Sequence, residues 1–197
     1  MKGETRKKQI INASIKQFAK LGYHRTHIEN VLKEAKIGKG TFYIYFKNKE
    51  DLFVAVLEKF FFDWEEFVLV NSDENARYDD ENYHRNVVKR SLTFFEKNKD
   101  ICNIYPCIAP GFNEFFEPYI EKFESKILQD VTNLLKKGVA AGFYRNDFDI
   151  ELIANIFVGA HMRIAYNYFA SKKKIKRLSV DQLSDQLYNF VFKGIHA

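Results

Sequence analysis

The chain has little of several residue types that mark particular protein classes. Its 197 residues include only two cysteines, three prolines, nine glycines and one tryptophan. So few cysteines exclude a small disulfide-stapled scaffold, and so few prolines and glycines exclude a collagen-like or low-complexity chain. No early segment joins a basic start to an apolar run, so we expect no signal peptide. The length allows one substantial core, or a small domain joined to a larger one.

Long apolar runs are also lacking. The longest candidate, residues 150–169, is interrupted by Asn155, His161, Arg163 and Asn167. A membrane span needs about 20 consecutive apolar residues, so this segment predicts a buried helix. Without an export signal, the expected compartment is a reducing cytoplasm.

Motifs that carry catalytic or metal chemistry are scarce. The two cysteines, Cys102 and Cys107, have no nearby His or Cys pair that would complete a metal site. We expect two small buried side chains there, with a redox pair as the alternative. The sequence shows no Ser-His-Asp set, paired carboxylates or zinc signature. We therefore predict no enzyme activity, no metal and no cofactor.

One glycine-containing stretch, "KIGKGTF", invites comparison with a phosphate-binding Walker loop. That loop needs glycine five residues before its Gly-Lys pair, and Ser or Thr after the lysine. Around Gly38-Lys39, those places hold Lys33 and Gly40. The segment before it is capped and spaced as a helix rather than a strand, so the nucleotide-enzyme interpretation fails.

The positive charge is concentrated at one end. Residues 1–52 hold twelve Lys or Arg and five Asp or Glu, a net charge of +7. The remaining 145 residues have a net charge of −2. A basic module on a near-neutral body is typical of proteins that bind the phosphate backbone of nucleic acids, although a solvated basic face is the alternative.

Apolar residues recur at spacings of three and four, which predicts an all-α fold. The first helix ends at Gly22, and a capping box of Thr26 and Glu29 predicts a second helix from about His27 to Ala35. A short third helix follows over about residues 38–46. Asn48 caps a fourth, which we expect to continue to about Val70. Residues 71–86 predict a loop and then a helix start.

The second and third helices form a predicted helix-turn-helix, whose second helix enters the major groove of DNA. Phe42 and Phe46 are four residues apart and are expected to face inward. Lysine, threonine and tyrosine side chains can bond to base edges or phosphates, and Gly40 allows close approach of the backbone. The residues left outside are Lys39, Gly40, Thr41, Tyr43, Ile44 and Tyr45, with Lys49 beside the fourth helix.

The stretch "GYHRTHIENVLKEAKIGKGTFYIYFKNKEDLF" resembles the DNA-binding domain of TetR-family transcriptional regulators over about 50 residues. The resemblance implies an all-helical homodimer with a DNA-binding domain (1–47) and a ligand-binding and dimerisation domain (48–197). It also implies a repressor released from a palindromic operator by a small molecule. The matching positions are Arg6, Ala13, Phe18, Gly22, Tyr23, Thr26, Ile28, Gly40, Thr41, Tyr43, Phe46, Lys49 and Leu52.

Motif position within this resemblance implies eight DNA contacts. Two positions depart from the usual pattern, with His27 where Thr or Ser is frequent and Gly38 where Ser is frequent. Each departure removes a hydroxyl that could bind phosphate. The implied contacts are Thr26, His27, Lys39, Gly40, Thr41, Tyr43, Tyr45 and Lys49.

The last two predicted helices carry the expected dimer interface. One is opened by Asp149 and reaches about Ala170, and the other begins with the capping box "SVDQ" at Ser179. Their apolar seams can form a four-helix interface with a second copy, or can face the monomer's own core. The predicted interface residues are Leu152, Ile156, Gly159, Ala160, Val180, Leu183, Leu187, Phe190 and Gly194.

Aromatic residues make up 16% of the chain and concentrate between its two ends. Aromatic side chains with a few polar groups are the usual lining of a small-molecule pocket, although aromatics at helical spacing are also ordinary core. As a group, the pocket candidates are Phe94, Tyr105, Phe112, Phe115, Phe116, Tyr119, Phe157, His161 and Tyr168.

The sequence therefore predicts a ligand-responsive, DNA-binding transcriptional repressor whose effector is apolar or aromatic. The alternative is a helical enzyme or small-molecule carrier with a basic N-terminal face. The operator, the regulated genes, the effector and the choice between repressor and activator do not follow from the sequence.

Overall fold

The computed structural model describes residues 2–70, 80–104, 114–171 and 178–194, and the regular structure of these residues is helical. Of the predicted site residues, Tyr105 and Phe112 lie outside this range, as do Cys107 and the side chain of Cys102. The helices are α1 (Lys2–Leu21), α2 (Ile28–Ala35), α3 (Lys39–Tyr45), α4 (Lys49–Glu65), α5 (Glu81–Lys97), α6 (Lys99–Ile104), α7 (Glu117–Ala140), α8 (Ile150–Ala165) and α9 (Val180–Phe192). Short π-helical turns, Glu66–Val70 and Tyr166–Ala170, continue α4 and α8.

Three predicted helix starts are confirmed by their hydrogen bonds. Asn48 Oδ1 accepts from the Asp51 amide at 2.8 Å, which caps α4. Asp149 Oδ1 accepts from the amide of Leu152, and Ser179 exchanges bonds with Gln182 in a capping box. Each side chain satisfies an amide that has no partner within its helix.

The predicted capping box at the start of α2 is wrong. Thr26 is fully buried, and its hydroxyl donates to the Gly22 carbonyl at 2.8 Å. The helix begins one residue later, with His27 as the N-cap. The His27 amide donates to Asn30 Oδ1 at 2.8 Å, so the side chain of Asn30 has the role predicted for Glu29.

The chain divides into two compact units. The first comprises residues 1–63 and 99–120. Four aromatic rings lie at its centre, with centroids 5.0 Å apart for Phe18 and Phe53, 4.8 Å for Phe53 and Phe116, and 5.1 Å for Tyr23 and Phe116. Helices α2 and α3 pack against this core.

The second unit comprises residues 64–98 and 121–197. Its α5 packs along α9, and Arg85 ties the two helices together. The guanidinium donates to Asp185 Oδ1 at 2.9 Å and to Asn189 Oδ1 at 2.8 Å, and it lies 4.2 Å from the centroid of the Tyr188 ring. These units are groups of residues that pack together, and each contains two separate chain segments. They do not test the predicted domain boundary after residue 47, which stays a prediction.

The end of α7 is closed by a tight turn. Gly142 has a φ of +73°, in the left-handed region that glycine adopts without strain. The amides of Phe143 and Tyr144 both donate to the Gly138 carbonyl, at 2.9 and 3.2 Å. This turn brings the buried Tyr144 ring so close to Gly138 that a Cβ atom at position 138 would overlap it.

No helix among the described residues is long and apolar enough to cross a membrane. Within the same residues, no group of three or more His, Cys, Asp or Glu side chains is placed to hold a metal ion.

Candidate nucleic-acid interface and internal cavity

A three-residue turn, residues 36–38, joins α2 to α3. Lys36 has a φ of 51°, in the left-handed region, and its amide donates to carbonyls in the last turn of α2. The Ile37 amide donates to the Leu32 carbonyl at 3.1 Å, which closes the helix end. Gly38 then begins α3 with extended backbone. This arrangement is a helix-turn-helix.

The third helix has one buried and one exposed face. Phe42 and Phe46 are buried, as predicted, with 0% and 2% of their surfaces exposed. Tyr43 and Ile44 are 48% and 76% exposed, and Lys39 is exposed beside them. A basic and partly apolar helix face of this kind can bond to guanine and pack against thymine methyl groups. Ile44 was left out of the predicted contacts, although helical spacing already placed it on the outer face of α3.

Gly40 lies on this exposed face. A Cβ atom built on Gly40 would have no heavy atom within 4 Å, so the protein's own packing does not require glycine there. The missing side chain leaves room for another molecule to approach the α3 backbone. Thr41 and Tyr45, also predicted as contacts, are half-buried, and Tyr45 packs against the core of the first unit.

Two of the predicted DNA contacts have structural partners inside the first unit. Thr26 cannot present its hydroxyl to a ligand from its buried position, so the structure corrects that prediction. The Lys49 ammonium donates to the Tyr23 carbonyl at 3.1 Å and lies 4.3 Å from the centroid of the Tyr23 ring. Lys49 therefore fixes the loop between α1 and α2, and its contact with phosphate stays a prediction. His27 is exposed.

The second unit contains a cavity of about 320 Å³. This volume lies at the lower end of the roughly 300–1,000 Å³ that small-molecule sites occupy. The wall is mostly aliphatic and aromatic, with polar groups from α5, α7 and α8. The lining residues are Trp64, Val68, Tyr83, Val87, Val88, Ser91, Ile127, Asp130, Val131, Asn133, Leu134, Lys137, Phe157, Val158, His161 and Met162.

Three polar side chains in the cavity wall form a connected group. Trp64 Nε1 donates to Ser91 Oγ at 3.2 Å, and Ser91 Oγ lies 2.8 Å from His161 Nε2. All three residues are buried. Burial lowers the pKa of His161 to about 4, because the apolar surroundings disfavour the charged ring. The imidazole is therefore neutral at pH 7.

The sequence model of bacterial regulatory proteins of the tetR family matches residues 10–56. The matched segment contains α2, α3 and the turn between them. This segment matches the DNA-binding segment of the TetR family. The chain is accordingly a DNA-binding transcriptional regulator, and the relatives that it matches are regulators rather than enzymes.

Similarity to known proteins extends over nearly the whole chain. The uncharacterized HTH-type transcriptional regulator YhgD of Bacillus subtilis is 27% identical over 195 residues, which cover 98% of this chain and 97% of YhgD. The crystal structure of the transcriptional regulator FadR from Bacillus subtilis, in complex with stearoyl-CoA, is 21% identical with a TM-score of 0.81, covering 95% of this chain and 98% of FadR. The structure of AibR in complex with isovaleryl coenzyme A and operator DNA is 20% identical with a TM-score of 0.78, and the coverages are again 95% and 98%. At these identities the two structures show a shared fold.

Among the predicted pocket residues that the structure describes, Phe157 and His161 line the cavity and the others do not. Phe116 is fully buried in the core of the first unit, and Tyr119 packs against that core, while Phe115 is 52% exposed. Phe94 is buried beside Phe67, and Tyr168 is half-buried outside the cavity wall. The other lining residues were missed because aliphatic side chains at helical spacing give no signal that separates a cavity wall from a packed core.

The predicted dimer residues differ in how far they are exposed. On α8, Leu152 and Ile156 are 58% and 45% exposed, and Gly159 is exposed on the same face. On α9, Phe190 is 78% exposed, as a partner-facing residue would be in one isolated copy. Leu183 and Leu187 are instead buried in the core of the second unit, so the structure corrects those two positions. Ala160 and Val180 are half-buried, and Gly194 is exposed.

Proposed function

We propose that this protein represses transcription by binding a palindromic operator as a homodimer and releases it when an effector fills the cavity of the second unit. The observation that carries the proposal is the pairing, in one chain, of an exposed recognition helix with an internal apolar cavity. Operator binding would place the protein in the cytoplasm.

The exposed side chains of α3 support the DNA-binding half. Lys39, Tyr43 and Ile44 face outward while Phe42 and Phe46 hold the helix against the core. The first 52 residues also carry a net charge of +7, which favours association with phosphates. We infer that α3 enters the major groove and that Lys39, Gly40 and Tyr43 form its central contacts, with His27 and Lys49 at the backbone.

A dimer would set two such helices on successive half-sites, roughly 34 Å apart or more. The exposed apolar residues Leu152, Ile156 and Phe190 support an interface on α8 and α9. Gly159 adds a place where a partner helix can approach closely, since a Cβ built on it has no heavy atom within 4 Å.

For the effector we propose an acyl thioester. The cavity is largely apolar and large enough for an acyl chain. Two proteins of the same fold are described with such molecules, stearoyl-CoA for FadR and isovaleryl coenzyme A for AibR. These likenesses support the ligand class and leave the chain length open.

The proposed coupling between effector and operator is a shift of populations. The effector favours a conformer whose recognition helices no longer match the half-site spacing. Helix α4 is the proposed connecting element, because it begins with Lys49 and carries Trp64 of the cavity wall near its end. Linkage requires that effector and operator lower each other's affinity by the same factor.

Selection of random duplex DNA by the purified protein tests the proposal. We expect enrichment of a palindrome that binds two chains and whose affinity falls steeply with salt. Tyr43→Ala should weaken binding of that palindrome while the protein keeps its thermal stability, because half of the Tyr43 surface is exposed.

The effector half is tested on the selected palindrome. Stearoyl-CoA and shorter acyl-CoA thioesters should release it, and free coenzyme A should not. If a palindrome is enriched but no acyl-CoA thioester releases it, the proposed effector class is wrong and the proposed operator binding stands. Absence of any enriched sequence would overturn the repressor proposal itself.

A further inference from the structure

The cavity wall contains one more hydrogen-bond donor than its neighbours can use. Trp64, Ser91 and a neutral His161 together carry three polar hydrogens, on the indole nitrogen, the hydroxyl and one imidazole nitrogen. Only two contacts join them, Trp64 Nε1 to Ser91 Oγ and Ser91 Oγ to His161 Nε2. One hydrogen is therefore left over within this trio of side chains.

The position of the spare hydrogen follows from the two possible tautomers of His161. If Nδ1 carries the proton, Ser91 donates to Nε2 and an N–H group is buried without a partner. His161 Nδ1 has essentially no exposed surface and no hydrogen-bond partner among the described residues, so this tautomer buries an unpaired donor. If Nε2 carries the proton, Ser91 Oγ accepts from both neighbours, its own hydrogen is free to rotate, and Nδ1 is left as an unpaired acceptor. Each tautomer therefore leaves one donor unpaired, and an acceptor on a bound molecule beside Ser91 favours the second tautomer because it pairs the hydroxyl hydrogen.

The second arrangement leaves a hydroxyl donor at the cavity wall. Within the described part of the chain, Ser91 Oγ bonds only to Trp64 and His161, so in this arrangement its hydrogen has no acceptor among those residues. Along α5 the neighbouring wall residues Val87 and Val88 are aliphatic. An unpaired donor in such surroundings costs about 1–3 kcal/mol until an acceptor arrives.

We propose that the effector carries a hydrogen-bond acceptor, a carbonyl group in the simplest case, on an otherwise apolar frame, and that the Ser91 hydroxyl donates to it. This inference rests on the proposed function, since it concerns recognition in the same cavity. The site discriminates against molecules of equal shape that lack the acceptor, because they leave the donor unpaired. Ser91 binds the ligand directly, and His161 and Trp64 orient the Ser91 hydroxyl.

The experiment compares ligands that differ only in the acceptor. One pair is 2-decanone and 2-methyl-1-decene, in which a methylene group replaces the carbonyl oxygen. The other is stearoyl-CoA and its thioether analogue S-octadecyl-CoA. Trp64 is the one tryptophan of the sequence and lies in the cavity wall, so its fluorescence reports occupancy directly.

For the wild-type chain we expect the carbonyl member of a pair to bind about tenfold more tightly, as one hydrogen bond allows. Ser91→Ala should reduce this preference to near unity, and Ser91→Thr, which keeps the hydroxyl, should retain it. The matched control is Ser184→Ala. Ser184 is also a buried serine of the second unit, but its hydroxyl donates to the Asp181 carbonyl at 2.9 Å and does not line the cavity.

Each outcome decides a separate point. Equal binding of the carbonyl and methylene members by the wild-type chain overturns the inference and leaves the proposed function standing, and this comparison does not depend on whether Ser91→Ala folds. A preference that survives in a folded Ser91→Ala chain also overturns it. If no member of either pair alters Trp64 fluorescence or operator binding, the effector proposal fails and the inference fails with it.

Discussion

At the scale of single residues, a substitution at Gly40 should change operator affinity and stability in opposite directions. Glycine in a helix is less favourable than alanine by about 0.5–1 kcal/mol, and the space around Gly40 is open. We expect Gly40→Ala to raise the free energy of unfolding by that amount, measured by urea denaturation. The same methyl group should lower operator affinity by about tenfold or more, because we propose that DNA approaches the α3 backbone at this residue.

A duplex of scrambled sequence is the control for Gly40→Ala, since its binding depends on the net charge, which the substitution leaves unchanged. Stabilisation with unchanged operator affinity would mean that DNA does not approach α3 at this residue.

Residue positions were predictable where periodicity alone decides burial. Phe42 and Phe46 are four apart on a short helix, and both are buried as their spacing predicts. Thr26 was not predictable in this way, because a threonine before a helix can either cap it or donate to the preceding turn. The Gly22 carbonyl is the acceptor in the folded chain, and the turn that brings it close is a tertiary feature.

At the scale of elements, the last two helices show what a repeating apolar pattern leaves open. The seam of α9 contains Leu183 and Leu187, which pack into the core, and Phe190, which is exposed. All three satisfy the same helical spacing, so the pattern cannot tell a core contact from a partner contact. The cavity wall has the same ambiguity, because Val87, Val88 and Val131 have the sequence signal of ordinary core.

The exposed face of α8 gives a direct test of dimerisation. Ile156→Glu introduces a charge on the proposed interface, where burial without a partner is unfavourable by several kcal/mol. We expect the variant to sediment as a monomer at concentrations at which the wild-type chain is a dimer, and to lose cooperative binding of the palindrome.

Phe62→Glu is the control for the interface, because Phe62 is 63% exposed on α4 and lies outside α8 and α9. This variant should sediment as the wild-type chain does. A dimer that persists in Ile156→Glu would place the interface on another surface.

At the scale of the whole molecule, the buried His161 makes stability depend on pH. Its pKa is about 4 in the folded chain and about 6.5 when unfolded, because burial disfavours the charged ring. Below pH 6.5 the unfolded chain therefore binds a proton that the folded chain does not, and the free energy of unfolding falls as the pH falls towards 4. Between pH 7 and pH 5 this one group should account for a loss of about 2 kcal/mol.

The His161→Gln variant isolates this contribution. Urea denaturation of both chains at pH 7 and pH 5 should show a smaller loss of stability in the variant, by about the amount stated for His161. Other groups that titrate in this range are present in both chains and cancel in the difference. Equal losses would mean that the His161 ring is protonated as readily in the folded chain as in the unfolded one.

The contact between Gly138 and the Tyr144 ring has a consequence for how the sequence can vary through evolution. Any side chain at position 138 would overlap the ring, and the ring is fixed by a turn whose two amides donate to the Gly138 carbonyl. Position 138 therefore cannot gain a side chain while the Tyr144 ring stays in this place. Descendants of this chain that acquire a side chain at position 138 should therefore also have lost the aromatic ring at position 144, and the two positions are inherited as a pair.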